Sequence, residues 1–235
     1  MSTETDQSRR GLRVRIAYLL VILVVIGGGL TLWLSSGSVD SRVGPEGVLM
    51  YNVPDLTSSS SPNTGATVDG ISCRTLAKES DKYHVHVHVV VFVNGQMRRL
   101  PAGIGITKPQ LVQHDKSGVF DDVGLYDCLY WLHTHVADGI IHVEAPAKQA
   151  FTLGQFFDIW GQPLGPNQVG PAKGKVVVFE NGKRITGNPR STPLLAQGVI
   201  QLDVGNQVVP FQPLTFKVSG GCGAGKNGCA TKTKK

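Results

Sequence analysis

Charge, methionine and cysteine are all scarce in this chain. Only 17% of the 235 residues are charged, while 29 are glycine and apolar content is ordinary, a balance that suits a β-rich globular protein large enough to bury its own core. The three methionines do not cluster, which argues against a dedicated Cu(I) thioether site. Two common hydrolase signatures are missing, the G-x-S-x-G elbow and the H-E-x-x-H helix. GGCGAGKN at residues 220–227 resembles a phosphate loop, but Asn227 replaces the Ser/Thr and no strand–loop–helix context surrounds it, so a nucleotide site is discounted.

A basic footprint is also lacking where it would matter. The formal charge is +6, yet Arg9, Arg10, Arg13 and Arg15 precede the first apolar run, and Lys226, Lys232, Lys234 and Lys235 lie at the other end. Without these eight, 15 basic residues face 15 acidic ones between Ile16 and Gly225. The folded part is therefore expected to be neutral and not to bind nucleic acid.

What the chain has instead begins with an uncharged apolar run of nineteen residues at 16–34 (IAYLLVILVVIGGGLTLWL). At 1.5 Å per residue it would span roughly 28 Å, near the hydrocarbon thickness of a bilayer. Four Arg precede it and only Arg42 follows closely, so the positive-inside bias predicts a cytoplasmic tail at 1–15, a transmembrane anchor at 16–34 and an extracytoplasmic remainder. A cleaved signal peptide is the rival, disfavoured by the length of the run and by the poor cleavage site in SSGSVDSR. In an oxidising compartment four cysteines suggest disulfides, with Cys73–Cys128 and Cys222–Cys229 as the expected pairs. A metal site at the second pair is the weaker alternative.

Residues 35–70 contain SSSSPNTG and little apolar periodicity, which predicts a flexible tether. A His-rich β domain or half follows at 71–165, a second β half at 166–219, and a Gly/Lys-rich tail at 220–235. The expected class is mainly β, sandwich or barrel-like, with two related hairpin units and one short helix. YHVHVHVVVFV before Asn94-Gly95 predicts the first hairpin, and Asp138-Gly139 predicts the tip of a second. The Thr-x-x-Gln spacing at Thr152–Gln155 predicts a capped helix that covers an edge or end of the sheet. VVVFVNGQ at 89–96 is echoed by VVVFENGK at 176–183, and GIIHVE at 139–144 by GVIQLD at 198–203, the order expected of an internal duplication. The second copy has Gln201 in place of His142 and no counterpart of the other histidines.

Six of the seven histidines fall in two windows, His84, His86 and His88 in one and His133, His135 and His142 in the other. On a strand, alternate residues share a face, so the first window presents a row of imidazoles. A two-residue turn at Asp138-Gly139 would set His135 opposite His142 and His133 opposite Glu144, all four on one face. Cβ atoms so opposed lie about 4.5–5.5 Å apart, close enough to converge on one ion. His84 and His88 are about 13 Å apart on a regular strand, so one of them lies outside the main site or a second ion binds. The metal ligands are expected among His84, His86, His88, His133, His135, His142 and Glu144. The ion is a divalent transition metal, Cu or Zn before Ni or non-haem Fe. Glu144 could equally be a ligand, an orienting partner or a solvated strand-end charge. The bland alternative is a set of strand-face histidines bonded to one another or to water.

YHVHVHV, LHTHVADGIIHVE and TLGQFFDIWGQPL together resemble blocks shared by a set of anchored or secreted prokaryotic proteins of no established activity. The likeness covers much of residues 73–216. It implies a similar architecture and leaves function open. Three functions therefore compete: extracytoplasmic metal binding, a metalloenzyme with three His ligands and an open position, and a metal-free structural or interaction domain of the envelope.

Overall fold

The computed structural model describes residues 41–44, 46–57, 64–75, 82–107, 110–114 and 121–216. The expected anchor at 16–34 and the Cys222–Cys229 pair lie outside them. Among the described residues no helix is long and apolar enough to cross a membrane.

Among the described residues the chain is mainly β, with several sheets and one α-helix. Its centre is an eleven-residue strand, β1 (Tyr83–Val93), whose valine-rich stretch strongly favours extended backbone. Asn94 and Gly95 turn it into β2 (Gln96–Arg98), both with positive φ (49° and 78°), as the two-residue hairpin requires. The remaining strands of the principal sheet are β3 (Leu132–His133), β4 (Ile140–Ala145), β5 (Val176–Glu180), β6 (Lys183–Ile185) and β7 (Gly198–Val204). Their order is β6-β5-β7-β1-β4-β3, with β2 also on β1. β4 pairs antiparallel with the first half of β1 (Tyr83–His88), whereas β7 pairs parallel with its second half (Val87–Val93). Both sequence halves thus build one sheet.

The echo of VVVFVNGQ in VVVFENGK is real at the level of hairpins: Asn181-Gly182 turns β5 into β6 as Asn94-Gly95 turns β1 into β2. Beyond the hairpins the copies diverge. β4 lies on the same side of β1 as β2, whereas β5 separates β7 from β6.

Alternation sorts the sheet into two faces. Val87, Val89, Val91, Ile141, Val143, Ile200 and Leu202 point into one buried core. The helix α1 (Leu153–Trp160) joins that core through Phe156, Phe157 and Trp160 and meets the principal sheet at its terminal strand β3. Its Thr152–Gln155 capping box forms as the sequence predicts, with Thr152 N–H donating to Gln155 Oε1 and Gln155 N–H to Thr152 Oγ1. The opposite face of β1 and β4 carries the histidines.

Cys73 and Cys128 are disulfide-bonded. Strand Cys73–Arg74 pairs antiparallel with Leu129–Tyr130, so the bond ties the approaches to both His-bearing strands.

The expected tether is ordered in part. Ser41–Val43 and Leu49–Tyr51 form a hairpin, and Val48, Met50 and Leu56 are buried. Those scattered side chains carry no period that marks an element. They gain order because the folded body offers apolar surface: Met50 packs with Val136, and Leu56 joins the main core.

Candidate metal centre

The site starts from strand register. β4 sets Glu144 opposite His84, His142 opposite His86 and Ile140 opposite His88. β3 sets His133 opposite His142. One lateral row across three neighbouring strands therefore reads His133, His142, His86, with His84 and Glu144 paired in the next row.

This register differs from the one expected for an Asp138-Gly139 two-residue turn. His142 faces His133, not His135, and Glu144 is not opposite His133, a shift of two residues along β3. The local turn loses to longer-range bonds. Thr134 N–H donates to the Ile104 carbonyl, and Thr134 Oγ1 accepts from Ile104 N–H and donates to the Pro101 carbonyl. The His135 carbonyl accepts from Val123 N–H, and the Gly139 carbonyl from Val89 N–H. Residues 134–139 are thereby drawn into a wider connection. A slip of two keeps every side chain on its face, whereas a slip of one would have turned the histidines into the core.

His133, His135, His142 and Glu144 each offer one donor atom, and the four atoms lie within 4.8 Å of one another. His133 Nε2 is 3.1 Å from His135 Nε2 and 4.0 Å from Glu144 Oε1, and His142 Nδ1 is 3.5 Å from Glu144 Oε1. A tetrahedral ion with bonds of 2.0–2.1 Å needs donors roughly 3.3 Å apart. The set matches that spacing after small side-chain adjustments.

Protonation favours a metal as well. His133 Nδ1 is 2.8 Å from the Tyr130 carbonyl. A carbonyl only accepts, so Nδ1 carries the hydrogen and Nε2 presents its lone pair to the cluster. His142 Nδ1 is buried and makes no hydrogen bond, a state that costs free energy unless something fills it. Burial first, and neighbouring histidines after it, hold His142 well below the ordinary imidazole pKa. Burial likewise holds His133 well below, against the opposing pull of Glu144. Both rings are neutral at pH 7, as metal ligation requires. The unfolded chain protonates near pH 6.5 while these rings resist, so stability of the metal-free protein is full above pH 6.5 and declines as pH falls below it.

The first window divides. His84 Nε2 lies 2.9 Å from His86 Nε2 and 3.2 Å from Glu144 Oε1, and His84, His86 and His142 form a second group of donors within 4.8 Å. His88 belongs to neither group. Its ring rests against the Asp138-Gly139 backbone, and burial depresses its pKa to about 4. It lines a cavity of about 370 Å³ that also meets Met97, Arg98 and Leu214, and none of the grouped donors lines that cavity.

Two contributors escape sequence reading. Glu46, from the hairpin within the expected tether, places Oε2 3.4 Å from His86 Nδ1. The Tyr130 carbonyl fixes the His133 tautomer, and no side-chain pattern encodes a carbonyl. In the second copy the equivalents of His142 and Glu144 do other work. Gln201 donates to Asp203 and the Val209 carbonyl, and Gln201 Oε1 and Asp203 accept from the backbones of Gln212 and Val209. There the polar face clamps the chain, whereas in the first copy it gathers imidazoles.

Gly105 sets how closely the neighbouring loop approaches β3. Its φ is +72°, and a Cβ there would lie 2.4 Å from the Leu132 carbonyl oxygen and 3.1 Å from His133 Cβ. Gly105→Ala is expected to destabilise the protein by about 2 kcal/mol or more, through backbone strain and displacement of β3. Urea unfolding reads the loss, and an unchanged midpoint would contradict the packing described.

Comparison with protein families, curated proteins and solved structures yields no match to this chain.

Proposed function

We propose that this is a membrane-anchored extracytoplasmic protein that binds a divalent transition ion, Zn(II) or Cu(II), at His133, His135, His142 and Glu144. The observation that carries the proposal is the convergence of four donor atoms within 4.8 Å, with three of the four residues buried. One of those residues has its tautomer fixed for ligation, and another has a buried nitrogen that makes no hydrogen bond. Imidazole with one carboxylate suits both metals. Four donors make a closed shell, and the neighbouring cavity lies away from them, which supports binding over catalysis.

The extracytoplasmic location rests on the Arg-flanked run at 16–34, and the Cys73–Cys128 disulfide supports an oxidising compartment.

Isothermal titration of Zn(II) into the protein across pH tests the binding. Affinity is expected to fall on acidification as protons compete with the ion for its imidazoles, with burial making His133 and His142 resist protonation. Binding no tighter than millimolar at pH 7 would overturn the proposal.

A further inference from the structure

The sheet face holds more donors than one ion can use. His84, His86 and His142 form a group separate from His133 and His135 and linked to them through the shared ring of His142. Glu144 Oε1 stands between the groups, 3.2 Å from His84 Nε2 on one side and 4.0 Å from His133 Nε2 on the other. Ring centroids repeat the pattern: His142 is 4.5 Å from His86 and 5.3 Å from His133. The sheet itself imposes this arrangement, because β4 is the middle strand and its His142 and Glu144 have a histidine-bearing strand on either side.

We infer that the face holds two divalent transition ions side by side, the second bound by His84 and His86 and sharing Glu144 with the first, while the single lone pair of neutral His142 serves one of the two. Two-metal centres commonly separate their ions by about 3.5–4 Å, a spacing that a bridging carboxylate spans. Glu46 Oε2, 3.4 Å from His86 Nδ1, is placed to hold that ring so that Nε2 faces His84.

The two positions differ in access. The His133 side chain is fully enclosed, whereas those of His84 and His86 are 36% and 25% exposed. The first ion is therefore enclosed by the fold, and the second meets solvent, exchanges faster and has room for a water ligand.

The inference rests on the metal-binding reading of the same face, and stoichiometry separates the two. The full-length protein in detergent is loaded with Zn(II), freed of excess metal and assayed for zinc per chain. Two ions per chain are expected, falling to one in His84→Ala/His86→Ala, with the faster chelator-extractable phase lost. One ion per wild-type chain would overturn the second site and leave the first standing, and none would overturn both. Since variants can misfold, a second measurement uses wild type alone. Loaded with Cu(II), it is expected to give an electron paramagnetic resonance spectrum of coupled ions, with less integrated signal than the copper content. A full-intensity signal from isolated Cu(II) would overturn the paired arrangement.

Discussion

Replacing His133 and His135 together by alanine is expected to weaken Zn(II) binding at the enclosed position by at least about 100-fold. Loss of an outer-shell partner alone costs 10–100-fold at comparable sites, and here two direct ligands go. The two rings leave the set in different ways. His133 sits at 0% exposure in the lateral row, so its removal also opens space and deprives the Tyr130 carbonyl of a donor. That lost bond is worth about 1 kcal/mol of folding stability. His135 lies outside the regular strand and reaches the cluster from the 134–139 connection, its Nε2 3.1 Å from His133 Nε2. His135→Ala alone should therefore spare the fold and still cost binding. Calorimetry on both variants, checked by circular dichroism for a native β spectrum, makes the comparison. Wild-type affinity in the folded double variant would remove these residues from the site.

Breaking the Cys73–Cys128 disulfide is expected to produce the largest loss of stability. The bond closes a loop of 55 residues, and the chain-entropy relation assigns such a loop about 4 kcal/mol at 25 °C. For a folded unit of this size that corresponds to a drop of roughly 10 °C in melting temperature. The consequence reaches the site through short steps: Cys73 pairs with Tyr130 in the small sheet, and the Tyr130 carbonyl receives the His133 Nδ1 hydrogen. A Cys73→Ser/Cys128→Ser protein should melt lower and bind zinc more weakly. Loading with metal should recover part of the loss, because a ligand bound only to the native state stabilises it. An unchanged melting temperature would show that the bond does not constrain the chain.

Much of the site is legible in the sequence because strand periodicity is strict. Spacing alone puts His84, His86 and His88 on one face, and the Asn94-Gly95 turn and Thr152–Gln155 cap are local signals that form as written. The register of β3 is not legible. Asp138-Gly139 carries a strong turn signal, yet Asp138 Oδ1 accepts from Ile140 N–H while Thr134 and His135 bond to residues 101–104 and Val123. Partners from 12 to 33 residues away outweigh a two-residue preference. The shared facing survives because the shift is even. Glu46 is hidden for another reason: its proximity to His86 depends on a short hairpin held by Val48 and Met50, too few apolar residues to stand out from a linker. That His84 and His88 cannot share one site is legible from their spacing, whereas the choice of His88 as the one apart comes from the register that sets Ile140 opposite it.

The central claim, that the histidine face holds a divalent transition ion, is tested most directly by elemental analysis of the protein isolated from an oxidising compartment without chelators. The account predicts at least one equivalent of zinc or copper per chain, retained through desalting at pH 7 and released on acidification as the buried imidazoles protonate. A folded, disulfide-bonded protein that emerges without metal and takes up neither Zn(II) nor Cu(II) from micromolar solution would contradict it.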